Sequence, residues 1–293
     1  MTVMNMKASS LPKKQSKFVE VMKRMAKNKL AMLGLFILLA EILVAVLAPV
    51  IAPYGYAEMD YMAMQMGPSS AHWFGTDEMG RDILSRLIYG SRYSLSVGII
   101  ATLLNTAIGV VIGAIAGYFG GRTDNIIMRL LDVIQSLPAM LLTIVISAVL
   151  GPGYFNTILA LSINGIPGKA RMLRAQILKE RSAEYIEAAE SINCSRVRTI
   201  FKHLIPNCFS PLIVQSTMGV ANIITTMAGL SFIGLGVQPP TPEWGSMLSG
   251  SRQFITTSPY MVIFPGLAIA LTVLALNLMG DGLRDALDPK LKR

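Results

Sequence analysis

Charge is scarce in this sequence. Only 15% of its 293 residues are Asp, Glu, Lys or Arg, whereas a soluble domain carries about 25%. With 53% apolar residues and a mean hydropathy of +0.53, that deficit excludes an ordinary soluble domain and points to a polytopic membrane protein. Cysteine and histidine are equally sparse: Cys194, Cys208, His72 and His203 are all there is. Two cysteines in or beside one basic loop are too few and too poorly placed for a disulfide framework or a zinc site. Two distant histidines exclude a histidine-based metal or catalytic cluster. HExxH and GxSxG are missing, which argues against a membrane-embedded hydrolase. Residues 165–169, GIPGK, suggest a phosphate-binding loop. That loop needs Gly five residues before its Gly-Lys and Ser or Thr after it; Ile163 and Ala170 occupy those positions. The chain therefore has no nucleotide site of its own.

What is present is a succession of apolar runs. Residues 1–29 form a basic segment with Lys7, Lys13, Lys14, Lys17, Lys23, Arg24, Lys27 and Lys29 against one acid, Glu20. Apolar spans are predicted at about 30–53, 95–118, 125–150, 154–177, 209–236 and 260–279. The first is too long for a signal-peptide core. Glu41 lies near its middle, and an acid there is expected to face the helix bundle and hydrogen-bond a polar neighbour. A polar loop, 54–94, follows. In the second span Ala101, Asn105, Gly109, Gly113 and Gly117 recur every four residues, a small-residue seam for close helix packing. The third span is entered by Arg129 and Asp132 and interrupted by Pro138. The fourth is the weakest by hydropathy. Its inner end is crowded by Lys169, Arg171 and Arg174.

The net charge of +9 would suit nucleic acid, but its distribution argues otherwise. With the N-terminus inside, segments 1–29, 119–129, 169–206 and 282–293 hold 22 of the 26 Lys and Arg residues. Outside there are only Arg81, Arg86, Arg92 and Arg252. This is the positive-inside pattern, and it accounts for the basicity without any nucleic acid.

The longest polar interruption of the second half, residues 184–207, reads as two short amphipathic helices. Tyr185, Ala188, Ala189 and Ile192 share one face of the first, and Ser182 is placed to cap it. Val197, Ile200, Phe201 and Leu204 share one face of the second, with Pro206 following. Asn193 lies between them, a residue that readily takes the left-handed conformation that ends a helix. The segment can be read as a plain surface helix, as a DNA-binding helix-turn-helix, or as a dock for a soluble motor. Flanking membrane spans weigh against DNA.

Glu187-Ala188-Ala189, the turn at Asn193, then Ile200 and Leu204-Ile205-Pro206-Asn207 resemble the EAA loop of ABC importer permeases, with Asn193 where Gly is usual. Pro167, Gly168, Ala170 and Arg171 fit the same pattern. Gly75-Thr76-Asp77, Gly80-Arg81-Asp82, Ser85-Arg86, Gly90, Arg92, Ser94 and Leu95 resemble the permeases that handle dipeptides, oligopeptides and nickel. So do LSFIGLGVQPPTPEWG (230–245) and GDGLRDALDP (280–289). The resemblance covers about residue 20 to the end and points to a C-type permease subunit.

It implies an all-α, six-span permease of the ABC type I importer fold, spanning 30–293, with a cytoplasmic coupling loop at 178–207. Glu187, Ala188, Ala189, Asn193, Pro206 and Asn207 would be its ATPase-coupling residues. The implied partners are a second homologous permease subunit, two cytoplasmic ATPase subunits that hold the ATP and Mg, an extracytoplasmic solute-binding protein, and membrane lipid. The chain itself would bind no cofactor, catalyse nothing and touch no nucleic acid. It would lie in a bacterial or archaeal cytoplasmic membrane with both termini inside. Peptide is the first choice of cargo, with nickel or a metal chelate as the alternative. A secondary transporter or channel would call for inverted repeats or a chain of intramembrane acids, and neither stands out. The topology has a direct test: a cysteine placed at Ser70 should react with an impermeant thiol reagent applied to intact cells, and native Cys194 should not. Labelling of Cys194 would overturn the orientation.

Overall fold

The computed structural model describes residues 17–287, and these are helical apart from turns and loops. The lysines at 7, 13 and 14 and the final residues 288–293 lie outside the described residues. A short amphipathic helix, α1 (Lys17–Met25), precedes α2 (Lys29–Ile51). Asn28 caps α2, accepting from the amides of Leu30 and Ala31. Glu41 of α2 accepts a 2.9 Å hydrogen bond from Thr272 Oγ1, so it meets a polar neighbour as expected.

The end of the predicted polar loop, from Ile83 on, is helical and forms one continuous rod with the second span, α3 (Ile83–Phe119). Asp82 starts it, accepting from the Ser85 amide at 2.7 Å. The loop before it is held by buried ion pairs. Asp77 accepts from Arg81 Nε at 2.6 Å and lies 3.4 Å from Arg86 Nε, and His72 Nδ1 lies 3.0 Å from Asp82. The GTD…GRD…SR motif is thus the frame of the polar loop that precedes α3.

The third apolar run is not one straight span. It forms α4 (Gly121–Gln135) and α5 (Ala139–Leu150), which meet at 83°. Pro138 forbids helical geometry to the residue before it and cannot donate to the turn. At 12 residues α5 reaches only about 18 Å. Next, α6 (Tyr154–Glu180) carries the polar fourth run and contains Pro167; the GIPGK stretch is helical throughout. A short helix α7 (Glu184–Ser191) leads to a single turn α8 (Arg196–Arg198), a π-helical stretch Thr199–Leu204, and α9 (Ile205–Phe232). An outer helix α10 (Trp244–Ser251) and α11 (Tyr260–Leu287) complete the chain. Four of the described helical runs are long and apolar enough to cross a membrane, and the bent α4–α5 pair is a fifth candidate. The remaining one, α6, has the length but not the apolarity.

The seam on α3 packs against α6. A Cβ on Gly109 would lie 2.5 Å from Lys169 Cβ, and one on Gly113 would lie 2.3 Å from the Ala170 carbonyl oxygen. Only glycine allows the two backbones to meet at that distance. Gly90 makes a similar approach to the Pro242 carbonyl. Buried Glu243 then ties α10 to α3 and α9, accepting from Ser94 and Ser231 hydroxyls and from the Gly245 and Ser246 amides. The expected effect of Gly113→Leu is separation of α3 from α6 at a cost of about 1–3 kcal/mol or more, read as reduced yield and loss of assembled complex. Normal assembly would show that the seam tolerates bulk.

Candidate functional site

The interruption at 184–207 is built on one buried cluster. Ile177 of α6, Ile186 of α7, and Ile200, Leu204, Ile205 and Cys208 at the start of the fifth run pack together with Leu173 and Ala114. This anchors α7 through Ile186, which is 1% exposed, and Ala189 beside it. The face predicted from spacing is therefore mostly not the buried one. Of Tyr185, Ala188, Ala189 and Ile192, only Ala189 turns inward; Ile186 takes the place expected of Tyr185. The helical period allows both phases, and what lies beneath the helix decides between them.

Ser182 does not cap α7; its hydroxyl donates to the Lys179 carbonyl instead. The end of α7 is as expected. Asn193 has φ +55°, and the Cys194 amide donates to the Ala189 carbonyl at 3.0 Å. That six-to-one hydrogen bond around a left-handed residue is a Schellman motif. It satisfies a carbonyl that the helix end would otherwise leave open.

Nor is the second helix a separate one. Arg196–Phe232 runs without a break into the fifth span, and Pro206 sits in the first turn of α9 rather than after a stop. Pro206 has no amide, and its ring would collide with the carbonyl four residues back in a regular α-helix. The π-turn relieves this: the Ile205 amide reaches the Ile200 carbonyl, five residues back. The shift in register also spoils the predicted face. Ile200 and Leu204 are buried, while Val197 and Phe201 stay exposed.

Asn207 is a brace. Its Nδ2 donates to the Tyr185 hydroxyl at 3.2 Å and to the His203 carbonyl, and Tyr185 donates to Glu180 at 2.9 Å. Partial desolvation, then the hydrogen bond to Glu180, raises the Tyr185 hydroxyl above the ordinary phenol value, so it remains a donor. What remains free is one surface. Glu187 and Ala188 are exposed on α7, Ile192 is 81% exposed at its end, and Val197 and Phe201 are exposed on the run beyond. Arg196, Arg198 and Lys202 surround it. An apolar patch beside basic residues lies outside the longest apolar stretches and has no partner among the described residues, the mark of an interaction surface. Sequence reasoning missed Ile186 as the anchor and Tyr185 as the brace; the alternative phase, Ile186 with Ala189, was the signal for the first.

Two ion pairs connect this end of α6 to the bent third run. Arg171 reaches Asp132 at 2.6 Å and also Gln135; Arg174 forks onto Asp124. Beside them α1, α6, α9 and α11 enclose an open cavity of about 670 Å³, lined in part by Arg24, Gln176, Glu180, Gln215 and Arg284.

The turn at Asn193 is open to test. Asn193→Gly should leave the loop intact, because glycine takes a positive φ freely. Asn193→Val should cost about 1–3 kcal/mol of local stability and raise protease cleavage between α7 and α8. Equal cleavage in both variants would show that the left-handed turn does not hold the loop.

Comparison with known proteins agrees with this architecture. A family model described as the binding-protein-dependent transport system inner membrane component matches residues 109–293. Another, for the N-terminal transmembrane domain of oligopeptide transport permease C, matches 16–68. The dipeptide transport system permease protein of Alkalihalophilus pseudofirmus is 46% identical over 93% of this chain and 90% of its own. That of Haemophilus influenzae is 45% identical over 91% and 92%. The oligopeptide transport system permease protein of Bacillus subtilis is 40% identical over 98% and 94%. A solved structure of the MetNI methionine ABC transporter, described as inward facing, superposes with a TM-score of 0.56 at 17% identity, covering 69% of this chain and 96% of that one. At that identity the likeness concerns the fold alone. The chain belongs to the inner membrane components of binding-protein-dependent transport systems.

Proposed function

We propose that this chain is a permease subunit of an ATP-driven importer of di- or oligopeptides, and that it forms one side of the translocation path. The observation that carries the reading is identity of 40–46% over nearly the whole length to permeases named for dipeptide and oligopeptide transport. A relative named for glutathione transport, from Pectobacterium atrosepticum, is 46% identical over 88% of this chain and 86% of its own. Glutathione is itself a small peptide, so this relative fits the same cargo class. No relative named above is a nickel permease.

The exposed surface at Glu187, Ala188, Ile192, Val197 and Phe201 is the part suited to a cytoplasmic ATPase. Ala188 leaves α7 bare, so a cleft can approach the helix closely. The patch is an apolar area that the coupling loop's own core leaves uncovered. A second permease subunit completes the path, two ATPase subunits hold ATP and Mg below, and a solute-binding protein delivers cargo from above. Both termini are then cytoplasmic, as the charge distribution favours.

Ala188→Trp should block docking by bulk. Glu187→Lys should reverse the charge presented to the partner. Both residues are exposed and outside the long apolar stretches, so both proteins should still insert and assemble with the second permease. Stimulation of ATP hydrolysis by the loaded binding protein should fall at least about tenfold, the loss expected when a contact of about 1.4 kcal/mol is removed, and the ATPase should co-purify poorly. Full stimulation with normal co-purification in both variants would overturn the docking role.

A further inference from the structure

Lys169 is 5% exposed at the junction of α3, α6 and α9. Among the described residues, none of the ion pairs includes it. Its Nζ donates to Ser216 Oγ at 3.1 Å, and Ser216 shares a 3.0 Å hydrogen bond with Thr106. An ammonium has three donors, so one hydroxyl leaves most of its capacity unused. Close by, Thr102 Oγ1 is buried with no partner. A buried cation without a carboxylate is costly, and ionisable groups at membrane depth mark substrate or ion paths.

The two unsatisfied groups converge on Gly219 of α9: a Cβ there would sit 3.7 Å from Lys169 Nζ and 3.9 Å from Thr102 Oγ1. Gly219 belongs to a polar stripe. Gln215, Gly219, Asn222 and Thr226 fall at i, i+4, i+7 and i+11, on one side of α9, and Gln215 and Asn222 are exposed. In a membrane such a face belongs against water or protein rather than lipid. It also continues into the 670 Å³ cavity, which Gln215 and Met218 of α9 line together with Met172 and Gln176 of α6. Met172 is one helical turn from Lys169, about 4.5 Å along the axis. The ammonium therefore lies behind the polar side of α9, with a glycine in place of a side chain in front of it.

We propose that Lys169, with Ser216 and Thr102, forms a carboxylate subsite on the translocation path, entered past Gly219, which takes the C-terminal carboxylate of the transported peptide. The ammonium supplies charge and two N–H donors, and Thr102 supplies a hydroxyl. The subsite rests on the peptide-importer reading. It adds a residue-level account of why a lysine stands inside the bundle.

The test uses the complete complex in proteoliposomes with saturating binding protein loaded with a tritiated dipeptide. Lys169→Met should lower uptake about tenfold, the size of one lost charged hydrogen bond, while Lys169→Arg keeps most of it. Gly219→Ala should also lower uptake, because its methyl fits at ordinary contact distance yet covers the ammonium. Stimulated ATP hydrolysis should persist in all three, so the ATP spent per peptide rises in Lys169→Met and Gly219→Ala but not in Lys169→Arg; a merely structural lysine would not produce that split. Uptake by Lys169→Met within twofold of the unaltered complex would overturn the subsite. Loss of the second permease from the Lys169→Met complex, with Lys169→Arg retaining it, would show that a partner carboxylate fills the site and would also overturn it. Should Lys169→Met fail to insert, unchanged uptake by Gly219→Ala overturns the proposal. Absence of peptide uptake by the unaltered complex would overturn the cargo reading itself.

Discussion

The close approach of α3 and α6 is the constraint on which the other features depend. Lipid tails are as apolar as leucine, so no hydrophobic force drives two spans together; contact, hydrogen bonds and lipid entropy must do it. Gly109 and Gly113 let the α3 backbone rest against Lys169 and Ala170 with no side chain between. That contact fixes both the height and the rotation of α6. Its rotation aims Lys169 at α9 and Arg171 and Arg174 at α4. Its height sets where α7 emerges, since only a few residues separate the two helices. Gly165, also on α6, would meet Asn105 of α3 if it carried a Cβ. The seam is therefore continued from both sides.

The second constraint is that backbone polar groups near or within a membrane need partners in the protein. The chain meets it differently at its irregular points. At Pro138 the helix breaks by 83° and restarts. At Pro206 it does not break, because a π-turn accommodates the ring. The choice has a mechanical consequence. Val197 and Phe201 of the exposed patch belong to the same uninterrupted run, Arg196–Phe232, that carries Gly219 and Asn222. A displacement of the patch is a displacement of the polar stripe's own helix, with α7 clamped to its base by Ile186 and by the Tyr185–Asn207 hydrogen bond.

Much of this was legible in sequence. Long apolar runs locate α2, α3 and α11; fourfold spacing reveals the seam; Asn193 announces the left-handed stop. What failed did so for nameable reasons. The run at 125–150, expected as a span interrupted by Pro138, bends there by 83°, a magnitude that hydropathy does not carry. The buried phase of α7 depended on residues 173–212 arriving beneath it, which local periodicity does not contain. Lys169 looked like one of several basic residues at the inner end of a span. Only the packing shows that Arg171 and Arg174 have acids and that Lys169 has none among the described residues. The family motifs, in turn, mixed two kinds of residue: Asp77, Arg81, Asp82 and Arg86 build the frame of the polar loop that precedes α3, while Glu187 and Ala188 lie on a free surface.

The same distinction bears on the charge argument for orientation. Two of the four outer arginines, Arg81 and Arg86, are buried beside Asp77, and Arg81 also pairs with Glu78. They are neutralised locally and present no positive surface. Arg252 stacks over the Phe232 ring at 5.5 Å. On the other side Arg122, Arg129, Arg196, Arg198 and Lys202 are exposed. Among the described residues the exposed positive charge therefore keeps the asymmetry of the residue count.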